Sequence, residues 1–287
     1  MIDIPVYIIS LKGTSSYDFS KHFSNVNYFQ AVDARKNTPR YYYDKGIISQ
    51  RVLMDLERGR KDHFAFPGVG AIGLILSYKK LVEKLLAEGI NENVLICEED
   101  CLIKNIKEFE RKVNLLKNKD FDCVVLGAGR FKKIIKKTDL DKQYNESNSI
   151  ITGYIIPSEL DKDFQHYKEY FMFTHSLIWS PKGLKKVIKY LNDTIELQLD
   201  GMFAFLSEKD HINLLVENKA TTGQAEHFST LGNDGECKLC NTDALDGKYN
   251  KTIVETIYDF IKIITILIIV ICILYLIYTQ KNNCKMN

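Results

Sequence analysis

The chain lacks several things, and each absence excludes a class of protein. It has no excess of charge: 39 lysines and arginines face 37 acids, a formal net charge of +2. A nucleic-acid binder needs a basic field along one face, so that class is disfavoured. Arginine is scarce beside lysine, which disfavours a phosphate reader built on guanidinium forks. The seven cysteines are an odd number without framework spacing, so free thiols in a reducing compartment are expected in place of a disulfide scaffold. No second pair follows Cys237-Lys-Leu-Cys240, whereas zinc wants four ligands. With His211 and His227 nearby, this pair reads either as part of a zinc site or as two thiols in a polar linker. The opening MIDIPVYIISLKG lacks the basic start and long apolar core of a secretory leader. No internal repeat is visible.

One apolar run is long. Residues 263–278 read IITILIIVICILYLIY, without a charge, a glycine or a proline. A membrane span takes about 20 apolar residues, with a range near 17–25. Phe260 and Ile261 lengthen the run past Lys262, whose stem can reach the interface. Tyr275 and Tyr278 sit where an aromatic belt belongs. The expectation is a transmembrane helix at about 261–278, inside an anchor at 253–287. A polar Gly/Asn/Asp linker at 231–252 joins it to a domain at 1–230. Few residues follow Tyr278, so the expected topology is a single-pass tail anchor with that domain in the cytosol.

Along the domain, short β-branched runs alternate with helical periodicity. Residues 4–10, 27–32, 93–97 and 121–126 read as buried strands, and 71–88 and 106–116 as helices, with Gly89 ending the first. This alternation implies an α/β domain with a mostly parallel central sheet and helices on both faces. Residues 172–180 predict a further strand, with Ser180 capping a helix that starts at Pro181. A helix or turn is expected around Asp200, and a last strand at 211–216. Residues 127–150 are polar and read as a long loop. Its basic cluster (Arg130, Lys132, Lys133, Lys136, Lys137) is either a solvated surface or a contact for anionic headgroups.

The stretch NVLICEEDCLI at 93–103 is the most informative. An apolar run ends in three adjacent acids and then turns apolar again. Side chains alternate faces along a strand, so Glu98 and Asp100 point one way and Glu99 the other. Two carboxylates at i and i+2, at the carboxyl end of a central strand, can pinch one hard cation such as Mn²⁺ or Mg²⁺. The bland alternative is an acidic turn in solvent.

The ordered set of motifs resembles glycosyltransferase family 25, which contains lipopolysaccharide-biosynthesis and collagen galactosyltransferases. VYIISL resembles the family's opening strand, and FQAVDA its F-x-A-V-D-G. VGAIGLILSYKKL resembles its E-I-G-C-x-L-S-H helix start, and CEED its I-L-E-D-D strand end. FTHSLIWSPKGLKKVI, LQLDGMF and the later Gln224 follow in the family's order, over about residues 4–230. The resemblance implies a GT-A type fold for nucleotide-diphospho-sugars. It implies a metal-dependent, inverting transfer of a hexose, commonly galactose, from a UDP-sugar to a hydroxyl of a glycan, a lipid-linked glycan or a protein.

On that resemblance Glu98 and Asp100 hold the metal. Ser10, Asp33, Ser77 and Glu99 serve the donor, and Asp200 is the base that takes the acceptor's proton. Each assignment has a plain structural counterpart: a strand-end cap for Asp33, a helix-interior serine for Ser77, a helix N-cap for Asp200. His227 is a candidate third metal ligand. The chain departs from the family pattern at Tyr78 (a histidine there), in the arginine-free loop after the first strand, and at Glu99 (an aspartate there). The competing expectation is an inactive, membrane-tethered binding or scaffold protein built on the same fold.

Overall fold

The computed structural model describes residues 1–58, 66–117, 119–127, 135–136, 154–161, 163–168, 174–217 and 219–225. Nine strands form one mixed sheet. They are β1 (Val6–Ser10), β2 (Val26–Gln30), β3 (Val94–Glu98), β5 (Cys123–Val125), β6 (Ile135–Lys136), β7 (Tyr154–Asp161), β8 (Phe164–Lys168), β9 (Ser176–Trp179) and β10 (Leu214–Glu217). Their order across the sheet is β2-β1-β3-β9-β5-β10-β8-β7-β6. In the first six, β2, β1, β3, β5 and β10 share one direction, and β9 runs against both its neighbours. Two short strands, β4 (Cys101–Ile103) and β11 (Thr222–Gln224), form a separate antiparallel ribbon.

The chain is thus α/β with a mostly parallel sheet, as its alternation of motifs implies. The central strands β1, β3, β5, β9 and β10 are largely apolar because both faces are covered. Tyr7, Ile9, Val94, Ile96, Leu177 and Trp179 face one core, against α3 (Val69–Ala87), α5 (Pro181–Leu191) and α6 (Leu199–Glu208). The alternate residues Val6, Ile8, Leu95, Cys97 and Ile178 face the other, against α4 (Ile106–Leu116), Phe19 and Phe23. The period of two along each strand separates these cores.

Local chemistry sets the helix starts. Ser180 caps α5 by accepting from the Gly183 N–H at 3.0 Å, with Pro181 at the first position. The same pair of signals, Thr38 then Pro39, opens α1 (Pro39–Asp44), which precedes α2 (Gln50–Arg58). Neither helix is among the elements expected from the sequence. The strand expected last is followed by β11. The expected loop at 127–150 contains β6, and its other residues from 128 onward lie outside the described ones, so of its basic cluster only Lys136 is placed.

Gly73 is where α3 touches the end of β2. A Cβ there would stand 2.5 Å from the Val32 carbonyl oxygen, so only glycine permits this approach. Among the described residues no helix is long and apolar enough to cross a membrane. The run at 261–278, the linker at 231–252, His227 and the Cys237–Cys240 pair all lie outside the described residues.

Candidate active site at the carboxyl end of the sheet

Parallel strands end together, so their carboxyl ends gather Ser10, Glu98 and the segment after Gln30 along one edge. β9 is reversed and brings its first residues to the same edge. The β3–β9 register pairs Cys97 with Ser176, and the Glu98 N–H donates to the His175 carbonyl at 3.0 Å. Thr174, one residue earlier, donates from Oγ1 to Glu98 Oε1 at 2.9 Å.

The three acids have three different settings. Glu98 is the last residue of β3, and the charged groups that act on it most strongly are other acids. Burial first, then Asp100, then Asp200 and Glu99, push its carboxyl up to about 8 against the Thr174 hydrogen bond. Asp100 is held by the ribbon: the Ala225 N–H donates to its carbonyl at 2.8 Å, and Gln224 Nε2 donates to Oδ2 at 3.3 Å. Glu99 turns the other way, toward β1. It accepts from Ser10 Oγ at 2.7 Å and from the Leu11 N–H at 3.1 Å, while its own carbonyl accepts from the Ser16 N–H at 2.8 Å. Glu99 and Asp100 lie in the turn after β3, and the three carboxylates take separate partners: Thr174 for Glu98, Ser10 for Glu99 and Gln224 for Asp100.

Two of the expected donor contacts are internal braces. The Ser10 hydroxyl is wholly buried. It gives its proton to Glu99 and accepts from the N–H groups of Lys12 and Thr14, each at 3.2 Å. Ser10 and Glu99 together shape the loop at 11–16, so they reach a ligand only through that loop. Ser77 is also wholly buried. It donates to the Gly73 carbonyl at 2.6 Å and accepts from the Val32 N–H at 2.7 Å. This corrects the expectation that Ser77 faces the donor: its hydroxyl is spent on the backbone, as a helix-interior serine's often is, and it fixes Val32 beside Asp33. Asp33 is at the surface, capping a 3₁₀ turn at Ala34–Lys36 and paired with Arg35 Nε at 2.7 Å. The Arg35 hydrogen bond holds its carboxyl below the usual range.

Asp200 lies in the first turn of α6, but the N-cap is Gln198. Its carboxylate accepts from the Gly201 N–H at 2.7 Å and acts electrostatically on Glu98. The fold therefore brings Glu98, Asp100 and Asp200 into one neighbourhood from two distant stretches of sequence. A half-buried carboxylate surrounded by acids suits a cation in its midst, and the oxygen donor set suits Mn²⁺ or Mg²⁺. Among the described residues no group of three or more His, Cys, Asp and Glu side chains is placed to hold a metal ion.

Two departures from the family pattern acquire reasons. Tyr78 is in the core, accepting from Trp179 Nε1 at 2.8 Å and packed edge-on to Phe203, so its identity answers to packing. The arginine-free loop is the one that Ser10 and Glu99 fold. His211, a zinc candidate, stacks on Tyr190 with ring centroids 5.3 Å apart. The three described cysteines, Cys97, Cys101 and Cys123, are free and buried.

Sequence reasoning missed a buried ion pair beside the ribbon. Lys112 Nζ on α4 meets Glu217 Oε2 at the end of β10 at 2.9 Å and donates to the Lys219 carbonyl at 2.7 Å. Glu217 also accepts from the N–H groups of Gly127 and Thr221, both at 2.7 Å, and from Thr221 Oγ1 at 2.9 Å. Thr221 in turn accepts the Lys104 N–H at 2.8 Å. This hub fixes the root of β11, whose far end holds Asp100.

His175 is buried at 2% exposure, with Nε2 3.4 Å from Thr222 Oγ1. Burial first, then the Lys104 charge, pull its imidazole down to about 4. Between its ordinary value of 6.5 and 4, the unfolded chain holds a proton there that the folded chain refuses. Stability is therefore full above pH 6.5 and falls on acidification, by an amount on the order of 3 kcal/mol at pH 4. Urea midpoints from pH 7 to 4 are expected to fall more steeply in the wild type than in His175→Asn, which carries no titrating ring. Parallel slopes refute this origin of the acid sensitivity.

No family model matches the chain, and a search of curated proteins finds no match. The functional reading therefore rests on the residues.

Proposed function

We propose that the chain is a metal-dependent, inverting glycosyltransferase that moves a hexose, galactose being the first candidate, from a UDP-sugar to a hydroxyl acceptor. The observation that carries this is the half-buried Glu98 at the carboxyl end of a mostly parallel sheet, with Asp100 and then Asp200 the acids that act on it most strongly. The motif resemblance to glycosyltransferase family 25, with its GT-A type fold, supports the same reading and supplies the donor class.

In this reading Glu98 and Asp100 hold a divalent cation. When bound, that cation supplies positive charge for the diphosphate that departs from the sugar. Asp200 approaches from α6 and accepts the acceptor's proton as its oxygen attacks the anomeric carbon from the face opposite the diphosphate. Thr174 orients Glu98, and Gln224 with the Ala225 N–H orients Asp100. Ser10 and Glu99 shape the loop after β1, and Ser77 sets Val32 so that Asp33 stands at the rim, within reach of a uridine. The apolar run at 261–278 would keep the domain at a membrane, which favours an acceptor found there, such as a lipid-linked glycan.

A screen of UDP-sugars that reads released UDP tests the proposal. Release is expected with one or a few donors in Mn²⁺ and is expected to vanish with a chelator. Release from no donor, or release indifferent to chelation, would leave the inactive-scaffold alternative as the better description.

A further inference from the structure

Lys104 follows β4 directly, and its side chain lies across Gly223 of β11. A Cβ on Gly223 would collide with Lys104 Cε and come within 2.6 Å of its Nζ. A methyl there would shift the far end of the flexible lysine chain from its present path. Gly223 pairs with Leu102 in the ribbon register. The Lys104 side chain therefore runs back along the ribbon toward the acidic turn. At a strand rise of about 3.3 Å per residue, the level of Leu102 is roughly 7 Å from Asp100.

The rest of Lys104 is fixed as well. Its N–H is bonded to Thr221, which the buried Glu217 anchors. Its charge is felt at His175, whose carbonyl holds the Glu98 N–H. Lys112, Lys182 and Lys186 each meet a carboxylate. Among the described residues none pairs with Lys104. An exposed ammonium thus runs along the ribbon toward the acidic turn, and among the described residues no carboxylate pairs with it.

We propose that Lys104 binds the diphosphate of the donor. This rests on the transferase reading above and adds to it a residue that neither the acidic motif nor the family resemblance marks. Seated on Gly223, the ammonium takes an outer oxygen of the diphosphate as a charge-assisted hydrogen bond. A compact point charge on a flexible stem suits a group whose charge grows as the sugar departs.

Calorimetric titration of UDP in the presence of Mn²⁺, with uridine as the control ligand, tests this. Lys104→Met is expected to weaken UDP about tenfold, the order of one charged hydrogen bond, and to leave uridine binding and Tm unchanged, since the side chain is exposed. Gly223→Ala should weaken UDP to a similar extent while keeping the charge, because the new methyl unseats the lysine. The backbone at Gly223 is not in the left-handed region, so alanine fits it. Lys104→Arg should retain most of the affinity. UDP binding that depends on Asp100 but ignores both Lys104→Met and Gly223→Ala overturns this inference alone. A loss in Lys104→Met without one in Gly223→Ala overturns the seat. A wild type that binds no UDP with Mn²⁺ overturns the transferase reading together with it.

Discussion

Asp100→Ala is expected to lower Mn²⁺-dependent release of UDP by about a hundred- to a thousandfold, the scale of losing one group that stabilises developing charge. The fold should survive it. The strongest charge acting on Glu98 is that of Asp100, so its removal relieves like-charge repulsion and Tm should hold or rise slightly. The neighbouring acid makes the contrast. Glu99→Ala removes the acceptor for Ser10 Oγ and for the Leu11 N–H, and so loosens the loop at 11–16. Its loss should appear as a lower Tm and a smaller fall in rate. Thermal melts and initial rates on both variants check the pair. If the activity of Asp100→Ala stays within threefold of wild type, Glu98 and Asp100 are not the metal pair; if Glu99→Ala proves the more damaging to rate, the roles of the three acids are reversed.

Glu217→Ala is expected to have the largest effect on stability. It strands the Lys112 ammonium in the core with the Lys219 carbonyl and the face of the Phe164 ring as its contacts, and it removes the acceptor of the Gly127 and Thr221 N–H groups. Breaking a buried pair from one side costs about 3–5 kcal/mol. For a domain of this size each kcal/mol is worth roughly 2–4 °C in Tm. Lys112→Met should cost less, because Glu217 keeps three of its donors. Denaturant midpoints for the two variants decide it, and a larger loss in Lys112→Met would show that the carboxylate is not the hub. Because the hub roots β11, the folded fraction of Glu217→Ala should also bind Mn²⁺ more weakly.

Legibility in the sequence followed the range of the interaction. The α4 helix at Ile106–Leu116 and the Ser180 cap can be read directly, because helical spacing and an N-terminal Ser-Pro pair act within a turn or two. The end of β3 at the acids is legible for the same reason. The direction of β9 is not: SLIW is an apolar run that suits a buried strand of either direction, and its reversal depends on β3 and β5 lying on both sides. The six residues of α1 are too short to show a period, and only Thr38-Pro39 signals it. The site divides likewise. Glu98 and Asp100 can be read from an apolar run closed by three acids; LLVE in β10 is also an apolar run closed by an acid, yet Glu217 belongs to an ion pair. That role depends on a lysine on α4, more than a hundred residues away in the chain. Ser10 and Ser77 have hydroxyls that look free in sequence; folding commits Ser77 to the backbone and Ser10 to the Glu99 carboxylate and two backbone N–H groups.

The reversed strand also governs how the domain can assemble. Because β9 is inserted between β3 and β5, the two halves of the sheet cannot join until Ser176–Trp179 has been made and threaded between them. During synthesis both strands must wait with bare hydrogen-bonding edges, and pairings this distant along the chain close slowly. A ribosome-bound chain that stops short of Trp179 should therefore be the form most dependent on chaperones, and a pause in translation there the most hazardous one for this protein.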